Sequence, residues 1–264
     1  MMDYMGRRQA DMTDIDRMPR GGFDASCLDR LLQTSRLEYL DRDDVDDHVK
    51  RQVVSALDWT GRVFGNHRRF AHTALELVAA VPDPKILELG AGHGAVSRLI
   101  LDDHPTAEVT VTDLSPESVA RIAAGDLGAR PRATVRRIDA TAIDAPDASF
   151  DLVLFALSFH HLSPGQAARV FAEGTRVGRQ LLIIDLPRPP APLHVLRLAT
   201  MLPWAPVLPF VHDGVISSLR CYSPSALRAL ARHADPSIDV ELRGGLTGPQ
   251  IVVARRSTSG DDSA

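Results

Sequence analysis

The chain has 264 residues, 44% of them hydrophobic and 24% charged, enough for one large domain with a substantial core. Its formal net charge of −4 leaves no basic excess to drive phosphate binding, so no nucleic-acid partner is expected. Cys27 and Cys221 stand apart from any disulfide or metal-ligand spacing, and residues 1–22 hold no apolar signal core, so a cytoplasmic protein is expected.

Residues 1–25 read as a disordered tail. A helical cap is predicted over 26–80. Leu28, Leu31, Leu32, Leu37 and Leu40 recur at roughly helical spacing, and Val53, Val54 and Leu57 form a second stripe with Trp59 off it. The acidic run from Asp41 to Asp47 between them reads as a solvated face or a helix start rather than a metal site. Over 81–255 the pattern alternates. Strands are predicted at 85–89, 108–112, 133–138, 150–157 and 180–186. Helices are predicted at 95–101, from Ser115-Pro116, and from Ser163-Pro164-Gly165-Gln166 to 176. Serine caps such helices and proline fits their first turn; Ser163 with Gln166 is a capping box. This rhythm predicts an α/β fold with a doubly wound, mostly parallel sheet, whose ligands bind beyond the carboxyl ends of the strands.

An apolar insertion follows at 189–222. Its first part, 189–211, carries six prolines together with His194 and Arg197, which suits a lid and makes a poor membrane span. A helix from Ser223-Pro224 to 232 and strands at 238–242 and 250–254 complete the domain as an antiparallel hairpin. Residues 256–264 read as a second disordered tail.

Chemistry concentrates at the strand ends. Glu88-Leu89-Gly90-Ala91-Gly92-His93-Gly94 occupies a strand-to-helix turn where glycines let backbone approach a ligand. Asp113 ends the second strand, placed to accept from ribose hydroxyls. Asp139 ends the third, placed to accept from an adenine amino group. A dinucleotide fold shares the glycines and Asp113. Glu88 discriminates, because an acid beside the glycines suits a cationic amino-acid moiety and repels a pyrophosphate.

These segments, ILELGAGHG, VTVTDLS, RRIDAT and FDLVLFALSFHHL in that order, resemble the class I S-adenosylmethionine-dependent methyltransferases over residues 84–186. The resemblance implies a Rossmann-like methyltransferase with S-adenosyl-L-methionine as cofactor. Gly90 and Gly92 would pack on the methionine portion and Glu88 would hold its amino group. Asp113 would bind the ribose diol, and Leu114 would cover the adenine. Asp139 and the Ala140 amide would meet the adenine edge, and Phe155 would border the methionine end.

On the acceptor side, His160 and His161 follow the fourth strand at the mouth of the expected site. Each is a candidate catalytic base, with loop positioning as the competing role. His212, Arg220 and Tyr222 lie in a polar cluster beside the apolar insertion and are candidate substrate contacts, with an Asp213–Arg220 pair as the structural alternative. The cluster is similar to a segment of bacterial methyltransferases of polyketide or quinone pathways. The expected reaction is methyl transfer to a small apolar or aromatic acceptor in secondary metabolism, most simply at oxygen. An NAD(P)-linked oxidoreductase and a non-methylating member of the fold are the alternatives, and shallow membrane-surface contact is the alternative role for the insertion. No motif calls for a metal.

Overall fold

The computed structural model describes residues 15–245 and 248–257. Among them seven strands form one sheet: β1 (Lys85–Leu89), β2 (Glu108–Asp113), β3 (Ala133–Arg137), β4 (Leu152–Ala156), β5 (Leu181–Asp185), β6 (Ile238–Gly244) and β7 (Gln250–Arg256). Their order is β3-β2-β1-β4-β5-β7-β6. Strands β1 to β5 pair in parallel, and β7 runs antiparallel to both β5 and β6. A β-α-β connection forces the parallel arrangement, while the short link between β6 and β7 permits only a hairpin.

Side chains of the central strands alternate between two cores, as the two-residue period of a strand requires. Leu87, Val153, Phe155, Leu181 and Ile183 enter a cluster with α6 (Pro164–Val177) and α9 (Pro224–Ala234). Ile86, Leu152, Leu154, Leu182 and Ile184 enter a second cluster with α3 (Asn66–Leu77), α4 (Ala95–Asp103) and α5 (Pro116–Ala124). Burial on both faces explains the unbroken apolar runs of β4 and β5. The serine starts form as predicted. Ser115 and Ser223 accept from backbone amides three residues on, and Ser163 with Gln166 completes the capping box. Strand β4 is shorter than predicted: Phe150 makes only an isolated bridge to Gly178.

The N-terminal region departs most from expectation. Its helices are α1 (Cys27–Leu31), α2 (Asp47–Val63) and α3. The first leucine stripe does not form a buried helix face: α1 buries nothing, and Leu31 is 79% exposed. Asp46 caps α2 by accepting from the His48 amide, so the end of the acidic run is a helix start. Residues 15–25, expected in the loose tail, are packed. Ile15 and Met18 are buried in the first core, the Arg20 guanidinium stands 4.3 Å over the Tyr222 ring, and the Ser223 amide donates to the Arg20 carbonyl. Three apolar or aromatic contacts outweigh the polar composition that suggested disorder. Arg256, expected in the second tail, closes β7; the remaining tail residues 1–14 and 258–264 lie outside the described residues.

The apolar insertion folds as α7 (Ala191–Met201) and α8 (Pro209–Arg220). Its prolines are tolerated because they sit at the helix starts or in the connecting turn, where no intrahelical amide is needed. No helix among the described residues is long and apolar enough to cross a membrane. Arg188 ties this region to the N-terminal segment. It is 4% exposed, pairs with the Asp29 carboxylate and donates to the carbonyls of Asp29, Leu32 and Cys221. Arg188→Met, which leaves those acceptors unpaired, is expected to lower the unfolding free energy by about 3 kcal/mol in urea titrations and to open residues 26–45 to protease.

Candidate active site

A cleft of ≈ 2160 Å³ opens at the carboxyl ends of the parallel strands, between the sheet, α2, α3 and α8. Glu88, Gly90, Gly92, Asp113, Leu114, Asp139, Ala140 and Phe155 all line it. The glycine turn is stapled to β2, since Ala91 N–H donates to the Thr112 carbonyl at 2.8 Å and the Thr112 hydroxyl to the Glu88 carbonyl at 2.7 Å. Gly90 and Gly92 have φ of 61° and 60°, in the left-handed region. A Cβ on Gly90 would lie 2.8 Å from Phe155, whereas one on Gly92 would meet nothing within 4 Å. Gly90 therefore serves packing, and Gly92 presents bare backbone to open cleft.

Three carboxylates face this space in different states. Asp113 accepts from the Gly92 amide and from the Ser115 amide, both at 2.9 Å, which orients it while leaving further lone pairs. Leu114 beside it is 56% exposed, an apolar platform at the cleft wall. Asp139 is exposed and uses one oxygen in a turn closed by the Thr141 amide and hydroxyl, at 2.8 and 2.7 Å. Glu88 is buried, and both the amide and the hydroxyl of Ser97 donate to one of its oxygens. Burial pushes its carboxyl up to about 7, although the Ser97 donors pull the other way.

The wall after β4 is built around His160 and His161. Leu157, a non-glycine residue at φ 56°, turns the chain so that 158–161 cross the cleft. His160 is 3% exposed. Its Nδ1 is 2.7 Å from Asp185 Oδ1, its amide donates to Asp185 Oδ2 at 2.8 Å, and its Nε2 lies 3.3 Å from Glu38 Oε1. Burial alone would lower its pKa, but Asp185 and Glu38 outweigh that and raise it to about 9. A protonated imidazole has no lone pair to offer, so this geometry runs against the expectation that His160 is a base. His161 is placed differently. Its Nδ1 is 2.8 Å from Asp41 Oδ2, and its Nε2 has Glu38 Oε2 at 3.8 Å. Partners oppose burial at both acids: burial raises Glu38 and Asp41, and the histidines beside them bring each below its ordinary value.

None of the three expected substrate contacts lines the cleft. His212 stacks on Tyr39 at 3.9 Å and pairs with Asp213, on the far side of the N-terminal segment. Arg220 is buried and donates to the His161 carbonyl at 2.7 Å. Tyr222 is buried, and its hydroxyl donates to the Leu162 carbonyl at 2.8 Å. The expected Asp213–Arg220 pair is replaced: Asp213 accepts from the Tyr39 amide, and Arg220 sits 3.5 Å from Asp41. The cleft instead receives Met201, Trp204, Phe210 and Val211 from the insertion, and Leu57 and Phe64 from the cap. Of the three acids around these histidines, the sequence marks neither Glu38 nor Asp185, and Asp41 only as part of the acidic run. Asp185 was within reach of the strand-end rule, as the last residue of β5. Asp41 was hidden in the acidic run, and nothing local marks Glu38, whose partners lie more than a hundred positions away.

The His160 bridge has a signature in stability. The folded protein holds the His160 proton more tightly than the unfolded chain, so this contribution is complete below pH 6.5 and is lost as pH rises through about 9. His160→Gln is expected to flatten the fall of unfolding free energy between those values, and a slope equal to the parent's in pH-resolved denaturation would contradict the bridge.

The family model for a methyltransferase domain matches residues 86–180. The chain is 28% identical over 197 residues to demethylmenaquinone methyltransferase of Thermus thermophilus, covering 68% of this chain and 86% of that protein. It is 35% identical over 112 residues to malonyl-[acyl-carrier protein] O-methyltransferase of Geobacter sulfurreducens, covering 42% of this chain and 41% of that protein, so this match spans less than half of either. Among solved structures, the plantazolicin methyltransferase BpumL has a similar fold, with a TM-score of 0.61, 13% identity, and coverage of 96% of this chain and 100% of that one. The PH0226 protein of Pyrococcus horikoshii has a TM-score of 0.52 at 19% identity, with coverage of 70% and 89%. The antiparallel β7 inserted beside β5 departs from the strand order of dinucleotide-binding folds. The chain carries a methyltransferase domain on a Rossmann-like fold, its activity is S-adenosylmethionine-dependent methyl transfer, and its cofactor is S-adenosylmethionine.

Proposed function

We propose that this enzyme methylates an oxygen of an apolar small molecule of aromatic, polyketide or quinone type, with His161 as general base and Asp41 as its orienting partner. The carrying observation is the 2.8 Å contact between His161 Nδ1 and Asp41 in a cleft that also receives Leu57, Phe64, Met201 and Trp204. The demethylmenaquinone methyltransferases among its relatives, one 28% and one 30% identical, support the quinone-like class.

The residues present fit the cofactor. Gly92 leaves backbone open to the cleft, Asp113 has lone pairs for a diol, and exposed Leu114 offers a face for a purine. Gly90, Asp139, Ala140 and Phe155 complete that wall. Buried Glu88 would receive an ammonium, which offsets the cost of its own ionisation. When bound, the cofactor would supply an electrophilic sulfonium methyl group to the acceptor oxygen, the new C–O bond forming as its C–S bond breaks. The chain's part is alignment and proton removal. Leu57, Phe64, Met201 and Trp204 hold an apolar acceptor and exclude water. His161 Nε2 takes the acceptor hydroxyl proton, and Asp41 holds the Nδ1 proton and stabilises the resulting imidazolium. Glu38 and His160 hold the loop that carries His161.

His161→Ala and Asp41→Asn are each expected to lower kcat about 100-fold in a product assay with labelled S-adenosylmethionine and quinol or phenol acceptors. Affinity for S-adenosylhomocysteine should stay within about twofold by calorimetry. Unchanged turnover in both variants would remove the dyad.

Glu88 makes a separate forecast. The ligand-free fold keeps its proton up to about pH 7 against 4.5 in the unfolded chain, so stability drops as pH climbs through that window. Glu88→Gln should therefore stabilise the ligand-free protein at pH 8 by on the order of 2 kcal/mol while weakening S-adenosylhomocysteine roughly tenfold. A variant that is neither more stable nor weaker in binding would rule out this role.

A further inference from the structure

A second group of titratable side chains, apart from the His161 dyad, lies where α2 and α3 meet the glycine turn. Asp58 on α2, His67 on α3 and His93 in the glycine turn bring a carboxylate oxygen and two imidazole nitrogens within 4.8 Å of one another. His93 Nε2 is 3.7 Å from Asp58 Oδ1, and the two rings meet edge to face with centroids 5.5 Å apart. The other Asp58 oxygen is held by Arg62 at 2.8 Å.

Space for this cluster is built into the fold. Gly61 is a buried glycine inside α2, where glycine costs helix stability relative to alanine. A Cβ at that position would lie 2.4 Å from His67 Cε1 and 2.5 Å from its Nε2. The helix thus gives up stability to admit an imidazole. Neither ring has a hydrogen-bond partner among the described residues; the 3.7 Å contact to Asp58 is too long for one.

We propose that Asp58, His67 and His93 bind a first-row divalent cation of the zinc type, which ties α2 and α3 to the glycine turn. Two imidazole nitrogens and one carboxylate oxygen suit such an ion, and the ion pair with Arg62 holds the other carboxylate oxygen in place. Three protein ligands leave a coordination position open. Because His67 and His93 line the cleft, that position is accessible from it. Bonds of about 2.0 Å in a tetrahedral site set donors roughly 3.3 Å apart, so occupancy draws the cap towards the turn between Gly92 and Gly94.

The test uses tag-free full-length protein, stripped with chelator and titrated with Co²⁺ and then Zn²⁺ without cofactor. One equivalent of Co²⁺ is expected to give the visible absorption of a low-coordinate nitrogen and oxygen site, displaced by Zn²⁺, and Zn²⁺ is expected to raise Tm. His67→Ala and His93→Ala should each lose affinity roughly tenfold or more and lose the Tm rise, while His161→Ala keeps both. Circular dichroism and S-adenosylhomocysteine binding report separately on folding and on the cofactor site. The proposal is overturned if micromolar Co²⁺ and Zn²⁺ do not bind, if both variants bind like the parent, or if only His161→Ala loses the ion.

Discussion

One imidazole, enclosed by two carboxylates, joins the parts of this enzyme that sequence keeps apart. His160 contacts Asp185 at the tip of β5 and Glu38 in the N-terminal segment, and its own backbone forms the loop after β4. A charge so deeply buried is tolerable only when both ring nitrogens face anions, and two buried acids are tolerable only with a cation between them. The three groups are mutually obligatory. Removing any one leaves an uncompensated charge at the wall of the cleft, so the geometry of His161 next door depends on all three.

The N-terminal segment illustrates how irregular backbone can be packed. Between α1 and α2 it has little regular structure, so its peptide groups need other partners. Arginines supply many of them. Arg188 serves the carbonyls of Asp29 and Leu32, Arg220 reaches that of Arg36, and Asp213 takes the Tyr39 amide. These buried side chains come from Arg188 and from the insertion that follows it. The polar residues that seemed to mark a substrate site, Arg220 and Asp213 among them, are thus the scaffold that delivers Glu38 and Asp41 to the histidines.

The glycine turn makes the opposite compromise. Its backbone is fixed by Thr112 and Asp113, while its inner carboxylate, Glu88, is left without a cationic partner. Burial of that acid is a cost to the fold, which a cation in the cleft would offset.

The sequence alone determined the sheet and its cofactor edge. Strand alternation, serine caps and acids at strand ends are local signals, since each depends on neighbours within a few residues along the chain. Glu88, Gly92 and Asp113 could be placed on one cleft wall because parallel topology brings successive strand ends together. Only the tertiary structure decided which histidine is enclosed and which is partly exposed at the cleft, because Asp185, Glu38 and Asp41 reach them across distances in sequence that no pattern spans. It also decided that Arg220, Tyr222 and His212 face away from the cleft. A polar side chain near an apolar run can serve a ligand or a backbone carbonyl equally well, and the choice is made by which unpaired group the folded chain sets beside it.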